Sequence, residues 1–312
     1  MPTREERLTG GLVGLLVGDA LGVPYEFYPP ETIPPRDQIE YVPPVGFAQA
    51  HVGTPAGTWS DDGAQALCLL ASLLECGHFD ADDFGRRLVR WRDAGYLAVD
   101  GRVFDVGLQT QRAISRLRAG APALAAGSTE ERALGNGSLM RVLPLALWHH
   151  GTDTELVADA RAQSQVTHGH MQAQLCCALY CLWARRVLDE VADPWQAAVY
   201  SLRTLSPPTS PERAELDNHI QPDHPPAGHG RGYVVDALHS ARWAVAQGDY
   251  EMAARAAIAL GNDTDTTACL AGGIAGLRDG IEAIPQRWRD GLRGKELSVP
   301  LLDRLLTRDT RR

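Results

Sequence analysis

Residues 173–184, Ala-Gln-Leu-Cys-Cys-Ala-Leu-Tyr-Cys-Leu-Trp-Ala, decide the fold. Ala173, Cys176, Cys177, Tyr180, Cys181 and Ala184 fall three and four residues apart, which is the period of a helix with one continuous apolar face; Trp183 widens that face. The same spacing returns at Leu67, Leu70, Ala71 and Leu74. It also predicts helices over 5–21, 80–92, 106–118, 138–149, 153–165, 194–205, 232–246, 249–260, 264–279 and 298–308. No alternating run of five or more β-branched and aromatic residues is bounded by a hairpin turn. An all-α bundle follows.

The 312 residues are enough for one large core, and neither an internal repeat nor a shift in composition marks a second domain, so 1–312 is expected to fold as one unit. Hydrophobic residues at 44% and charged residues at 22% exclude a largely disordered chain. Proline gathers in two places. Residues 24–58 hold Pro24, Pro29, Pro30, Pro34, Pro35, Pro43, Pro44 and Pro55; residues 206–230 hold Pro207, Pro208, Pro211, Pro222, Pro225 and Pro226. Both are too long for passive connectors and are expected to be ordered loops, either lids or surface excursions.

A net charge of -9, with no Lys/Arg run before Arg311-Arg312, argues against nucleic acid as a bulk partner. The six cysteines sit in apolar helical settings without a C-x-x-C, so neither a zinc site nor a disulfide framework is expected, and a reducing cytoplasm fits. The opening MPTREER and the apolar run after it mimic a secretory leader, but Glu5 and Glu6 mix its charge and Asp19 closes the run. No segment reads as the roughly 18 to 20 apolar residues of a membrane span. With no heptad or exposed apolar seam, a monomer is expected.

Trp59-Ser60-Asp61-Asp62-Gly63 stands where the first proline-rich stretch gives way to a helix. Taken alone, it is satisfied by an N-cap with acids in the first turn. A second cluster, Gly261-Asn262-Asp263-Thr264-Asp265-Thr266, again heads an apolar helix, and two such clusters hold more oxygen than capping requires. If both helices start at one end of the bundle, four carboxylates and two hydroxyls meet, and that charge is costly without cations. Such hard oxygen donors select Mg2+, Mn2+ or Ca2+ over zinc or copper. A binuclear site is the simplest compensation, with Asp263 and Asp265 able to bridge two ions and a water held between them activated. Gly18-Asp19-Ala20-Leu21-Gly22-Val23-Pro24-Tyr25-Glu26 reads as a tightly packed helix with Glu26 on its exit loop.

Seven motifs in order, G-D-A-L-G-x-x-x-E, W-S-D-D-G, F-D-V-G, G-N-G-S-L-M-R, T-H, G-Y-V-V-D and G-N-D-T-D-T, resemble the ADP-ribosylglycohydrolase family over residues 8 to 293. The resemblance implies a single-domain orthogonal multi-helix bundle with long loops over a central metal-lined cleft. It implies two Mg2+ or Mn2+ ions and hydrolysis at the anomeric carbon of ADP-ribose in a modified protein side chain or small conjugate. By the same resemblance Ser60, Asp61, Asp62, Asp263, Asp265 and Thr266 would be metal ligands, with Glu26 and Asp62 as catalytic groups. Asp105, Gly107, Gly137, Ser138, His168 and Tyr233 would bind substrate. A glycine-led helix start at Gly107 suits a diphosphate, Asp105 suits either a helix cap or a cationic leaving group, and Tyr233 suits either adenine or the core. Arg141 either braces its loop or reaches phosphate. Two positions depart from the family pattern: Ser60, where threonine is commoner, and Gly63, where a hydroxyl is common.

Two rivals were weighed. An α-helical terpenoid synthase also faces two acidic motifs across a bundle, but Gly63-Ala64-Gln65 lacks the third acid of D-D-x-x-D, and Leu270 stands where the last acidic ligand of the second motif falls. A catalytically silent ADP-ribose-binding or structural member of the family is the other, and retention of every carboxylate argues against it.

Overall fold

The computed structural model describes residues 1–224 and 227–310; Pro225 and Pro226 of the second proline-rich stretch and the Arg311-Arg312 tail lie outside the described residues. The first helices are α1 (Arg4–Gly22), α2 (Asp61–Cys76), α3 (Ala81–Ala94) and α4 (Leu108–Arg118). There follow α5 (Leu143–Trp148), α6 (Asp153–Gln165), α7 (Met171–Leu188), α8 (Pro194–Leu205) and α9 (Pro211–Glu215). The chain closes with α10 (Val234–Val245), α11 (Tyr250–Ile258), α12 (Thr264–Asp279), α13 (Gln286–Gly291) and α14 (Lys295–Thr310). Among the described residues there is no strand, only isolated bridges between Ser128 and His168 and between Gly135 and Tyr233. The fold is all-α, as the periodicity predicts.

Helices α1 and α12 form the centre, antiparallel and in backbone contact. Glycine recurs every four residues on α1, and Gly10, Gly14, Gly18 and Gly22 face Gly276, Gly272, Ala268 and Asp265 in turn. A Cβ at Gly14 would stand 2.5 Å from the Gly272 carbonyl oxygen, and one at Gly18 would stand 2.1 Å from that of Ala268. The Tyr250 hydroxyl donates to the Gly14 carbonyl at 2.8 Å and closes the seam from α11. This packing sets the C-terminus of α1 on the N-terminus of α12, where the Thr264 hydroxyl donates to the Gly22 carbonyl at 2.8 Å. Two sequence motifs 240 residues apart therefore meet because small residues let the helices touch. Gly14→Val is expected to cost about 3 kcal/mol by overpacking, read as a fall in the urea midpoint. An unchanged midpoint would mean that the seam is loose.

One expectation is corrected. Residues Arg4–Tyr25 are long and apolar enough to cross a membrane, with a mean hydropathy of 1.4, although the sequence reading found no such segment. The stretch is a core helix, apolar on nearly every face because α12, α2 and α5 surround it; Leu8, Leu12, Leu15 and Leu16 are all buried. Helix α7, the stretch that decided the fold, is likewise buried from Gln172 to Ala184.

Elsewhere the boundaries shift for local reasons. The helix expected over 138–149 is only Leu143–Trp148, because Pro144 suits a helix start and residues 136–142 coil in turns. Residues 24–58 are ordered by three short 3₁₀ turns, and Glu40 of this stretch accepts the Trp288 indole N–H of α13 at 2.5 Å. The second proline-rich stretch contains α9 and a π turn at Leu216–Ile220.

Candidate active site

The starts of α2 and α12 face one open cleft of about 320 Å³, lined by Glu26, Asp61, Asp62, Asp105, Asp263 and Thr266 on its acidic side. Larger cavities exist near His149 and near Trp183, but neither gathers unpaired carboxylates. The two helix starts are built differently. At α2 the cap reading holds: the Ser60 hydroxyl oxygen accepts from the Asp62 N–H at 3.2 Å. Asp263 occupies the equivalent position of α12 but caps nothing; its carboxylate faces the cavity and accepts from Asn136 Nδ2 at 2.8 Å.

Asp19 of α1 completes the first helix start. Fully buried, its carboxylate accepts from the Ser60 N–H at 2.9 Å and the Gly63 N–H at 2.7 Å. Gly63, one of the two departures from the family pattern, has a physical reason here: a Cβ would stand 2.8 Å from Leu16 and 3.0 Å from the Asp19 carboxylate. Asp61 is held from below by a relay. Gln65 Nε2 donates to its carboxylate at 2.6 Å, Arg141 Nη1 donates to Gln65 at 2.8 Å, and Arg141 Nε donates to Gln163 at 3.2 Å. Arg141 is fully buried, so it braces this layer and does not reach into the cavity.

Two buried carboxylate oxygens of this cluster, Asp62 Oδ2 and Asp265 Oδ2, have no hydrogen-bond partner. Oxygens of Glu26, Asp263 and Asp265 lie within 4.8 Å of one another. Burial, and then repulsion from neighbours among Glu26, Asp19, Asp62, Asp105 and Asp263, holds Asp61, Asp62 and Asp265 well above the usual carboxylate range. The same causes raise Asp105 to about 6, and burial lifts Asp19 to about 7. Burial, followed by the facing Asp105, Asp263 and Asp61, pushes the Glu26 carboxyl up to about 11. Orphaned hard oxygens in a dry, mutually repelling cluster have the chemistry of a divalent-cation cage.

Across the cavity, α4 begins at Gly107 without a side-chain cap, and Leu108, Gln109 and Thr110 line the wall. A helix start whose first N–H groups lack a side-chain partner has the chemistry to receive an anion. Gly137 and His168 line the same wall. A Cβ at Gly137 would stand 2.9 Å from the His168 ring, and burial lowers the imidazole to about 3, so it is neutral. Thr167 Oγ1 and His168 Nδ1 are 2.7 Å apart, leaving Nε2 as the free ring nitrogen.

Of the other sequence candidates, Ser60 and Asp265 lie behind the cavity surface, both buried, in contact with the cluster through the α2 and α12 starts. Ser138 is not brought to the cavity. It is fully buried, 2.8 Å from the Ser164 hydroxyl, and accepts from Cys177, which turns it into the α6–α7 layer. Tyr233 is partly exposed and does not line the cavity; it precedes α10, its hydroxyl donates to Gln172 at 2.7 Å, and it bridges Gly135 on the rim. Sequence reasoning missed Asp19, Asn136, Gln109 and His51 as site residues. Asp19 and Asn136 stood inside quoted motifs, whereas nothing in the local pattern around His51 marks it.

The chain, with this fold and this acid-lined cavity, belongs to the ADP-ribosylglycohydrolase family, whose profile matches residues 1–312. ADP-ribosylarginine hydrolase Tri1 of Pseudomonas putida (strain GB-1) is 32% identical over 285 residues, spanning 91% of this chain and 73% of its own length. The ADP-ribosyl-dinitrogen reductase glycohydrolase of Rhodospirillum rubrum is 27% identical over 92% of this chain and 90% of its own. A solved structure described as an ADP-ribosylglycohydrolase-related protein complex matches with a TM-score of 0.76 and 33% identity over 97% of each chain. The protein is thus a hydrolase of a family that cleaves ADP-ribose linkages.

Proposed function

We propose that this chain is a divalent-metal-dependent hydrolase that cleaves the bond between the anomeric carbon of ADP-ribose and a protein side chain, arginine first among them. The observation that carries the reading is the pair of orphaned oxygens, Asp62 Oδ2 and Asp265 Oδ2, which two different helix starts bury in one cluster. Asp61, Asp62, Asp263 and Asp265, with the hydroxyls of Ser60 and Thr266, would hold two Mg2+ or Mn2+ ions. Bound there, the ions supply Lewis acidity and neutralise the cluster.

The remaining work falls to the chain. The uncapped N–H groups at the start of α4 bind the diphosphate, and Gly107 and Gly137 keep that wall open for it. His168, held neutral, hydrogen-bonds a ribose hydroxyl from Nε2. Cleavage develops positive character on the distal ribose, which the surrounding carboxylates stabilise. Glu26, whose carboxyl lines the cavity beside Asp263 and Asp265, carries the proton between water and the departing group. Asp105 at the mouth pairs with a guanidinium, and Leu108, 73% exposed beside it, offers an apolar contact to the protein that bears it.

The test is a panel of conjugates, with ADP-ribose on arginine, serine, an acetyl ester and a base, incubated with the chain and Mg2+ or Mn2+. Release of free ADP-ribose from the arginine conjugate, faster than from the others, is expected. Release from none of them overturns the reading.

A further inference from the structure

The first proline-rich stretch returns to the cavity at His51. Its Nε2 lies 2.5 Å from Glu26 Oε2, and both side chains are largely buried. The imidazole makes tilted ring contacts with two phenylalanines, its centroid 5.4 Å from that of Phe27, itself largely exposed, and 5.0 Å from that of Phe104. The row is fixed at both ends. Arg102 lies over the Phe104 ring at 5.9 Å and its Nη1 donates to the Gly53 carbonyl at 2.6 Å, while the Phe27 N–H donates to the Asn262 carbonyl at 2.6 Å. Phe27, His51, Asp105 and Asn262 all adopt left-handed backbone, a conformation that costs on the order of 1 kcal/mol or more for each such residue. Strain at four residues around one carboxylate is tolerated only when surrounding contacts hold it in place.

We infer that His51 is the positioning residue for Glu26: in ring contact with Phe27 and Phe104, it fixes the Glu26 carboxyl group beside Asp263 and Asp265. The inference rests on the proposed role of Glu26 in hydrolysis. It gives residues 24–58 a task, since the loop carries both the carboxylate and the ring that orients it. A long side chain on a loop otherwise samples several rotamers, and each departure from the reactive geometry lowers turnover.

Two substitutions separate the ring from its hydrogen bond. His51→Phe keeps the ring contacts and removes the nitrogen; His51→Gln restores an amide that can hydrogen-bond Glu26 as donor or acceptor. With the ADP-ribosylarginine conjugate, His51→Phe is expected to lower kcat roughly 10- to 100-fold with KM within about twofold, and His51→Gln to recover most of the loss. Full kcat in His51→Phe, or no recovery in His51→Gln, would overturn the inference. Crystal structures of the wild type and His51→Phe give a readout that needs no substrate. The Glu26 carboxylate is expected beside Asp263 and Asp265 in the first and displaced or spread over several positions in the second; an unmoved carboxylate overturns the inference whatever the kinetics show. If the wild-type protein turns over no conjugate while Glu26 moves as expected, the proposed function fails and the positioning role stands.

Discussion

Asp265→Asn is expected to abolish turnover while leaving the metal-free protein at least as stable. The substitution is nearly isosteric, so the α12 start and its seam with α1 remain. What changes is charge: Asp265 is fully buried and faces Glu26, Asp62, Asp105 and Asp263, and its Oδ2 has no partner. Replacing a carboxylate by an amide relieves repulsion and removes a ligand from the cage. Loss of kcat on the order of 10³-fold or more is expected, equivalent to several kcal/mol of transition-state stabilisation. The melting temperature without metal should rise or hold, the usual trade between stability and activity at a charged site. Loss of activity together with a collapsed melting temperature would mean that Asp265 is structural, and retained activity would remove it from the chemistry.

The second large effect is linkage between divalent cations, protons and stability. The carboxyls of Asp19 and Asp105 titrate near about 7 and about 6 in the folded chain, above their usual values, and Asp61, Asp62 and Asp265 are higher still. A raised carboxyl binds its proton more tightly in the folded state, so the stability it contributes is complete below the unfolded value near pH 4. That stability is lost as pH rises through the folded value. The metal-free chain should therefore lose this contribution between pH 4 and 7 and beyond, while ion pairs elsewhere, such as Asp153 with Arg185 and Arg186, act in the opposite sense. On the proposed function Mn2+ or Mg2+ would bind the ionised cluster, so the rise in melting temperature on adding metal should grow from pH 5 to pH 8. At a hundredfold excess over Kd the stabilisation is about 2.7 kcal/mol. A metal increment that is flat or shrinks with pH would show that the cations do not bind these acids.

How far the site was legible in the sequence follows from what each feature needs. Helices such as α8, read as 194–205 and found at Pro194–Leu205, were legible because a buried face imposes its period on the chain itself. The two acidic helix starts were legible as an excess of oxygen over what capping uses, and Asp263, which caps nothing, shows why that reasoning worked. The short turns at Pro30–Thr32 and Arg36–Gln38 and the five-residue α9 left no such trace, since none of them has a buried residue to set a period. Ser138 was misplaced because a G-N-G-S turn does not say which way its hydroxyl points; packing against Ser164 and Cys177 decides that. Asp19, Asn136, His51 and the Gln65–Arg141–Gln163 relay act on residues between 22 and 127 positions away, or on partners reached only through another side chain. Such contacts exist only in the folded chain.

The most direct measurement is an anomalous difference map from crystals grown or soaked in Mn2+. Two peaks are expected inside the ring formed by Asp61, Asp62, Asp263 and Asp265, each within about 2.0 to 2.3 Å of carboxylate oxygens. A map at full manganese occupancy elsewhere with no peak in that ring, and the four carboxylates turned apart, would contradict the proposal that these helix starts form a metal centre.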